Sequence, residues 1–343
     1  DEASINEVCE EDNSGKVKFQ LFICYEDNRI TCLCKEDGKE IKLETAIDQQ
    51  DRKETKKQLK RMLYRHLVEQ TGQLQLWGTL TGIRPVKIVL SKLQHGESIE
   101  QARKCLIEDY YVAESKVELC LEIAAYEQQL LTKTAGENGY SLYIHIPFCP
   151  STCLYCSFTS NDIKKWKNKI TEYLDALEKE LHFVSTAMKG AILDTVYIGG
   201  GTPTTLEPDQ LERLFFVLED LFSMDKVLEF TVEAGRPDSI TKEKLMVMKK
   251  HKVSRISINP QTMNQKTLDL IGRFHRVEEI RSAYKVARDC GFSCINMDII
   301  VGLPGETMED LIYTLQEIEL LNPDNLTVHS LAIKRTSRLK LLM

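Results

Sequence analysis

The chain has 343 residues, of which 42% are hydrophobic and 28% charged, a composition typical of folded globular proteins and not of disordered or fibrous ones. The formal net charge of −7 argues against nucleic acid or an anionic membrane as the main partner of the whole chain. The sequence has no apolar run of about 18 residues and no secretion signal, so we expect no membrane span and a cytoplasmic location.

The first part of the sequence predicts a small α+β domain over residues 1–138. Residues 16–25 and 29–36 are typical of paired strands around a short turn. A charged helix is predicted at residues 51–72, and its lysines and arginines indicate a solvated face because leucines recur there at helical spacing. The sequence "TKTAGENG" at residues 132–139 breaks the pattern, and we expect a domain boundary there.

From residue 139 onward, short apolar strands alternate with amphipathic helices. The strand candidates are SLYIHIPF, DTVYIGG, EFTVEAG, SRISINPQ, INMDIIVGL and NLTVHSLAI. In the first helix, Trp166, Ile170 and Leu174 share one apolar stripe. Strand–helix repetition allows an open doubly wound sheet or a barrel, and about six units are fewer than the eight of a complete barrel. The predicted fold class is therefore α/β, with a partial (β/α)6 TIM-like barrel over residues 139–335 and residues 336–343 beginning a further C-terminal region.

Polar and glycine-rich signals follow the predicted strands. Functional residues of such folds sit at the carboxyl ends of parallel strands, which meet at one rim. The signals are a cysteine loop after the first strand, "GGGTPT" after the second, Glu233, Gln261, Asp298, and His329 with Ser330. We expect them to converge on one site.

Three cysteines, Cys149, Cys153 and Cys156, lie within eight residues. With no export signal, the eleven cysteines of the chain indicate thiols or metal ligands and not disulfides. Structural zinc sites usually draw four ligands from two knuckles, and no second pair is present, although His145 is a possible fourth ligand. A redox pair of Cys153 and Cys156 leaves Cys149 unexplained. Three clustered cysteines can bind three irons of a cubane cluster and leave the fourth iron open, so a cluster is favoured over zinc, a redox pair or an inert loop.

The "GGGTPT" turn matches neither a phosphate-binding loop nor a dinucleotide fingerprint. Glu233, Arg273 and Asp298 are charges within mostly apolar sequence. Because charged residues are rarely buried without partners, we expect either a polar ligand or mutual pairing.

The cysteine spacing, followed by "GGGTP", resembles the radical S-adenosylmethionine enzymes. The fuller text, with "YIHIPFC", "IGRFH", "NMDIIVGLPGET" and "NLTVHSLAI", resembles the oxygen-independent coproporphyrinogen III oxidases (dehydrogenases) over residues 140–335. The leading segment with "WGTLTGIRP" is similar to the HemZ-like branch of that family.

The resemblance implies that Cys149, Cys153 and Cys156 hold a [4Fe–4S] cluster whose open iron binds S-adenosylmethionine. No residue is singled out as catalytic, because the radical is generated at the cluster. The further cofactor-binding positions that the resemblance implies are Tyr143, Tyr155, Gly200, Gly201, Thr202, Glu233, Gln261, Arg273, Asp298 and Ala332.

The resemblance also implies a reaction. One electron, from a donor such as flavodoxin or ferredoxin, cleaves S-adenosylmethionine to a 5′-deoxyadenosyl radical. In the family this radical removes hydrogen from a propionate of coproporphyrinogen III, and two such decarboxylations give protoporphyrinogen IX. Related haem chaperones share the barrel but bind haem, and they carry Phe at the position of Phe158, where the best-known dehydrogenases have a further cysteine. A porphyrinogen-decarboxylating enzyme, a haem-binding protein and a structural zinc protein are thus the three functional hypotheses.

Overall fold

The structure is a computed structural model that forms two compact units, Asp1–Thr132 and Lys133–Met343. It describes residues 5–11, 17–26, 28–36, 39–48, 50–81 and 84–342.

The first unit contains an antiparallel meander in the order β1-β2-β3-β4. Its strands are β1 (Ile5–Glu11), β2 (Val17–Glu26), β3 (Arg29–Glu36) and β4 (Lys39–Ala46). Ile30 and Cys32 of β3 are fully buried, and they belong to one apolar core with Met62 of helix α1 (Arg52–Thr71). Three further helices form a second core: α2 (Val86–Gln94), α3 (Ile99–Lys104), which continues as a π-helical turn (Cys105–Asp109), and α4 (Glu114–Leu131).

The second unit is built on a six-stranded parallel sheet in the order β12-β11-β10-β9-β8-β5. The strands are β5 (Gly139–Ile146), β8 (Ile192–Gly200), β9 (Glu229–Glu233), β10 (Arg255–Ser257), β11 (Ile295–Val301) and β12 (Asn325–Ser330), with a separate short pair, β6 (Phe148–Cys149) and β7 (Asn161–Asp162). The helices are α5 (Ile163–Trp166), α6 (Ile170–Ala187), α7 (Pro208–Leu221), α8 (Lys242–Lys250), α9 (Gln265–Leu270), α10 (Val277–Asp289) and α11 (Met308–Leu321). Strand and helix alternate as parallel pairing requires, which confirms the predicted α/β fold with a partial TIM-like barrel.

The two faces of this sheet differ because side chains alternate along a strand. Ile144 and Ile146 of β5 point into the apolar core with Leu174 of α6 and Leu214 of α7. The opposite face is polar, and the strand register places one row of side chains side by side on it: Tyr143, His145, Tyr197, Thr231, Glu233, Ser257, Asn296 and Asp298. We call this row the polar face.

One helical prediction was wrong. Helix α6 begins at Ile170, after a 3-10 turn (Lys167–Lys169), and Trp166 belongs to the short preceding helix α5. Trp166 is 44% exposed, whereas Ile170 and Leu174 are buried as predicted. Within the described part of the chain, no helix is long and apolar enough to cross a membrane.

Candidate functional site

The three cysteines lie on a loop that follows β5 and is closed at its base. The backbone N–H and the side-chain amide of Asn161 both donate to the carbonyl of Pro147, at 2.8 and 3.2 Å. Inside the loop, the N–H of Cys156 donates to the carbonyl of Cys153 at 3.2 Å. All three cysteines are partly buried free thiols. We refer to residues 147–161 as the cysteine loop.

Residues distant in sequence fix this loop in place. The N–H of Leu154 donates to the carbonyl of Ile271 at 2.9 Å, and the Ser151 hydroxyl donates to the carbonyl of Gly272 at 2.9 Å. The N–H of Leu339 donates to the carbonyl of Leu154, also at 2.9 Å. The loop therefore has a defined position although it contains little regular structure.

A buried arginine also holds the loop. Arg236, 4% exposed, donates from Nε and Nη2 to the two carboxylate oxygens of Asp238, each at 3.1 Å. Its Nη1 donates to the carbonyl and the hydroxyl of Ser151, at 3.2 and 3.0 Å. Arg236 is a site residue that was not predicted from the sequence. The only available signal was a charged residue in the loop directly after the third barrel strand.

Two glycines at the carboxyl end of β8 pack closely against β5 and the start of the cysteine loop. A Cβ on Gly201 would lie 2.6 Å from the carbonyl oxygen of Phe148 and 2.7 Å from that of Ile146. Gly200 has φ +102°, and a Cβ there would lie 2.1 Å from the imidazole Nδ1 of His145. Only glycine fits at either position, because a Cβ would meet backbone carbonyls at Gly201 and the His145 ring at Gly200. Close packing therefore explains why the "GGGTPT" motif has glycine at these two positions.

Thr202 connects this turn to the first cysteine. The N–H of Thr202 donates to the carbonyl of Phe148 at 2.7 Å. The Thr202 hydroxyl donates to the sulfur of Cys149 at 3.4 Å. The structure therefore brings two of the predicted site residues, Gly201 and Thr202, to the cysteine loop, and it places Gly200 against His145 of β5.

Glu233 lies on the polar face beside two tyrosines. The Tyr197 hydroxyl donates to Oε1 of Glu233 at 2.6 Å. Tyr143 stacks on Tyr197 with ring centroids 5.8 Å apart and planes at 16°. Burial raises the pKa of the Glu233 carboxyl, the Tyr197 hydrogen bond opposes that rise, and the charge of Asp298 adds to it. Tyr197 was not predicted from the sequence, where the available signal was its position two residues before Gly199 on the same face of the strand.

Asp298 and Gln261 are joined through the backbone. The N–H of Gln261 donates to the carbonyl of Asp298 at 2.9 Å, and the N–H of Ile300 donates to the carbonyl of Gln261 at 2.9 Å. The Asn296 amide donates to Oδ1 of Asp298 at 2.6 Å. Gln261 has φ +68°, and its Oε1 is buried without a hydrogen-bond partner among the described residues.

Arg273 is a second buried guanidinium near the cysteines. It is 2% exposed and donates from Nη2 to the carbonyl of Gly235, while its Nε and Nη1 have no partner within the described part of the chain. Burial raises the pKa of Cys149 and Cys156, and the charges of Arg236 and Arg273, respectively, act in the opposite direction.

Tyr155 and Ala332 are the other two residues predicted to contact the cofactor. Tyr155 packs against a small apolar cluster of Ile271, Ile300 and Leu303, and burial raises its pKa. Ala332 is exposed in the irregular segment after β12. Among the described residues, Ala332 makes no hydrogen bond to another candidate position, so it is the one predicted residue that the structure does not connect to the rest.

The residues present fit an iron–sulfur cluster with a polar ligand beside it. The donor set is three thiols on one loop, and two buried guanidiniums offset the negative charge that thiolate ligands carry. The unpartnered Oε1 of Gln261 and N–H groups of Arg273 are buried polar atoms of the kind that a ligand satisfies. Among the described residues, no group of three or more His, Cys, Asp or Glu side chains is already gathered as a metal site. For zinc, the available fourth ligand, His145, lies against Gly200 on the polar face.

The chain is similar in sequence to radical SAM proteins. The model of the radical SAM superfamily matches residues 143–318. The oxygen-independent coproporphyrinogen-III oxidase-like protein HemZ of Bacillus subtilis is 41% identical over 297 residues, which are 84% of this chain and 59% of that protein. The heme chaperone HemW of the same organism is 36% identical over 195 residues, 57% of this chain and 51% of that protein.

Among solved structures, coproporphyrinogen III oxidase (HemN) from Escherichia coli, a radical SAM enzyme, aligns with a TM-score of 0.53. The identity is 32%, and the alignment covers 60% of this chain and 47% of that one. The chain thus spans only about half of the length of the relatives that it matches.

Proposed function

Because this chain belongs to the radical SAM superfamily, in its HemZ-like coproporphyrinogen III oxidase branch, we propose that it is an oxygen-independent coproporphyrinogen III dehydrogenase. Membership of the superfamily implies a [4Fe–4S] cluster and S-adenosylmethionine. The observation that supports the proposal most is the closed cysteine loop packed on the Gly200–Thr202 turn at the carboxyl end of the barrel.

In this proposal, Cys149, Cys153 and Cys156 bind three irons of the cluster. Their loop keeps its shape through contacts made outside the cysteines, so the ligands are partly ordered before the metal arrives. Arg236 and Arg273 favour the thiolate forms that ligation requires.

S-adenosylmethionine is proposed to lie between this loop and the polar face. When bound, cluster and cofactor supply one-electron chemistry that removes a hydrogen atom from an unactivated carbon. Glu233 and Asp298 offer carboxylate oxygens to the cofactor's amine and hydroxyl donors, and Gly200 and Gly201 allow its close approach to backbone. The further proposed contacts are Tyr143, Tyr155, Thr202, Gln261, Arg273 and Ala332.

The proposed reaction converts propionate side chains of coproporphyrinogen III to vinyl groups. Each propionate loses one hydrogen atom to the bound cofactor system, then one carbon dioxide and one electron, and becomes a vinyl group. The electron passes to a one-electron acceptor. Two of the four propionates react, and the product is protoporphyrinogen IX. The chain's own contribution is to hold the reacting carbon near the polar face and to exclude water there.

Anaerobic reconstitution tests the cluster and its ligands. We expect a reducible cluster by absorption and electron paramagnetic resonance, and its loss in Cys153→Ala with the fold retained. Cys294→Ala, which changes a partly exposed cysteine outside the loop, is the matched control and should keep the cluster. One zinc per chain without any reducible absorbance would refute the proposal.

Incubation of the reduced protein with S-adenosylmethionine and coproporphyrinogen III tests the substrate. We expect deoxyadenosine together with vinyl product. A haem chaperone is the second candidate function, and it rests on the 36% identity to HemW and on Phe158, 73% exposed, two positions after Cys156. Deoxyadenosine without vinyl product, combined with tight haem binding, would favour the chaperone.

A further inference from the structure

A cationic surface adjoins the cysteine loop on its C-terminal side. Lys164 and Lys165 lie on α5, Lys167 begins the 3-10 turn that follows, and all three are exposed around Trp166. We call Lys164, Lys165, Trp166 and Lys167 the lysine surface. It begins three residues after Asn161, which closes the base of the cysteine loop.

The positive charge of the lysine surface exceeds the negative charge next to it, where Asp162 accepts a hydrogen bond from the backbone N–H of Lys164. Lys169 pairs with Glu172 at 2.7 Å, but no described carboxylate forms an ion pair with Lys164, Lys165 or Lys167. Residues 147–169 contain four lysines and one aspartate, in a chain whose net charge is −7. Unpaired like charges held together create a positive field that attracts an anionic partner.

The same surface carries the exposed aromatic groups typical of protein interfaces. Trp166 is 44% exposed at the centre of the lysines, and nearby Phe274 is 74% exposed. Tryptophan and phenylalanine are enriched at the centres of protein interfaces, where they supply contact area that lysine does not.

A groove of about 430 Å³ joins the lysine surface to the cysteine loop. Ser151 and Leu154 line it from the loop, and Phe274 contributes an aromatic wall. Its charged lining consists of two cations, Lys165 and Arg338, and two carboxylates, Asp162 and Asp269, so the excess positive charge comes from the lysine surface beside the groove. No residue of the polar face lines this groove, so it opens on the outer side of the loop and not into the barrel. A partner seated there would approach the cysteines without entering the space proposed for cofactor and substrate.

We propose that the lysine surface and this groove dock an acidic one-electron carrier protein that reduces the cluster. This inference rests on the proposed function, because it assumes a cluster on the cysteine loop. One electron leaves the anionic hydroquinone of the carrier's flavin, which becomes the neutral semiquinone, and the cluster is reduced by one electron. No bond is formed or broken and no proton is transferred. A transient redox contact needs only a small interface, steered by charge and sensitive to salt.

The binding test uses protein without cluster, so it is independent of activity. In a Trp77→Phe background, Trp166 is the only tryptophan, and quenching of its fluorescence by an oxidised acidic flavodoxin reports docking. We expect the combined Lys164→Glu, Lys165→Glu, Lys167→Glu variant to bind at least about tenfold more weakly, and the wild-type affinity to fall as salt rises. The control with the same charge change is Lys179→Glu, Lys189→Glu, Lys226→Glu, at exposed positions outside the cysteine loop. Equal weakening in both variants, or in neither, would overturn the proposal.

The kinetic test compares two reductants on the reconstituted protein. We expect the triple variant to be reduced slowly by flavodoxin hydroquinone but at the wild-type rate by dithionite, which needs no docking surface. Equal loss with both reductants would overturn the docking role. Failure of every protein to form a reducible cluster would refute the proposed function instead, and the fluorescence titration would still decide docking. The triple variant could instead bind flavodoxin with wild-type affinity but lose binding to RNA or to anionic vesicles. That result would assign the surface to those polyanions and overturn the proposal.

Discussion

The guanidinium of Arg236, on the loop after β9, is hydrogen-bonded to both the carbonyl and the hydroxyl of Ser151, which lies between Cys149 and Cys153. The same guanidinium is fixed by a two-pronged pair with Asp238. Arg236 is therefore a positioning residue: it ties the ligand loop to the third barrel strand, and it acts on the cysteines through the backbone.

Arg236→Lys should lower the iron and sulfide content after anaerobic reconstitution, because lysine keeps the charge but cannot bind Asp238 and Ser151 at once. We expect the apoprotein to lose about 1 kcal/mol of unfolding free energy, the scale of a hydrogen bond that is lost. Arg213→Lys, on a partly exposed pair with Asp175 and Glu178, is the control. Iron and sulfide analysis, with urea unfolding of each apoprotein, makes the comparison. Equal iron content in all three proteins would contradict the positioning role.

Gly201→Ala should displace the cysteine loop from the turn after β8, because the new methyl group would meet the carbonyls of Ile146 and Phe148. Overpacking against backbone typically costs about 1–3 kcal/mol, and cluster assembly should fall with it. Gly235→Ala is the matched control, since its Cβ would come no closer than 3.2 Å, to the flexible side chain of Asn259. Urea unfolding of the apoproteins measures the difference, and equal stability of the two variants would show that the close approach is not a constraint.

Tyr197→Phe should destabilise the apoprotein more at pH 8 than at pH 5. The Tyr197 hydroxyl donates to the partly buried carboxylate of Glu233, and hydrogen bonds to charged groups contribute about 1.5–3 kcal/mol. Burial raises the pKa of Glu233, so the folded state binds this proton more tightly than the unfolded state does. The contribution of Glu233 to stability is therefore favourable at low pH and is lost as pH rises through its folded pKa.

Without the tyrosine donor, this pKa should rise further and widen that pH window. Urea unfolding at both pH values tests the effect, with Glu233→Gln as the reference that removes the titration. A Tyr197→Phe variant whose loss of stability is the same at both pH values would contradict the assignment.

His275 should make the barrel unit sensitive to acid. Burial, reinforced by the charge of Arg273, lowers the pKa of His275 to about 3, against about 6.5 for an unfolded chain. Between these two values the unfolded state binds a proton that the native state does not, so stability falls as pH drops through this window. His275→Gln should have a flatter dependence of unfolding free energy on pH from about 4 to 7. Equal slopes for the two proteins would show that His275 is not held neutral.

Much of the barrel was predictable from the sequence, because it depends on local periodicity. All six parallel strands begin and end close to the apolar segments that predicted them, although β10 is limited to Arg255–Ser257. The placement of Trp166 was wrong because a 3-10 turn, which leaves no hydrophobic periodicity of its own, interrupts the helical pattern before Ile170. Arg236 and Tyr197 were missed because their importance depends on partners 85 and 36 residues away in sequence.

The sequence by itself determined the strand–helix order, the spacing of the three cysteines and the glycine turn, since each is a pattern among near neighbours in the chain. Only the tertiary structure decided which groups meet. Parallel pairing of β5 with β8 and of β8 with β9 brings Tyr143, Tyr197 and Glu233 together. Long-range hydrogen bonds place the cysteine loop on Gly272 and Arg236. Such contacts depend on the register and crossover of distant segments, and no local pattern encodes them.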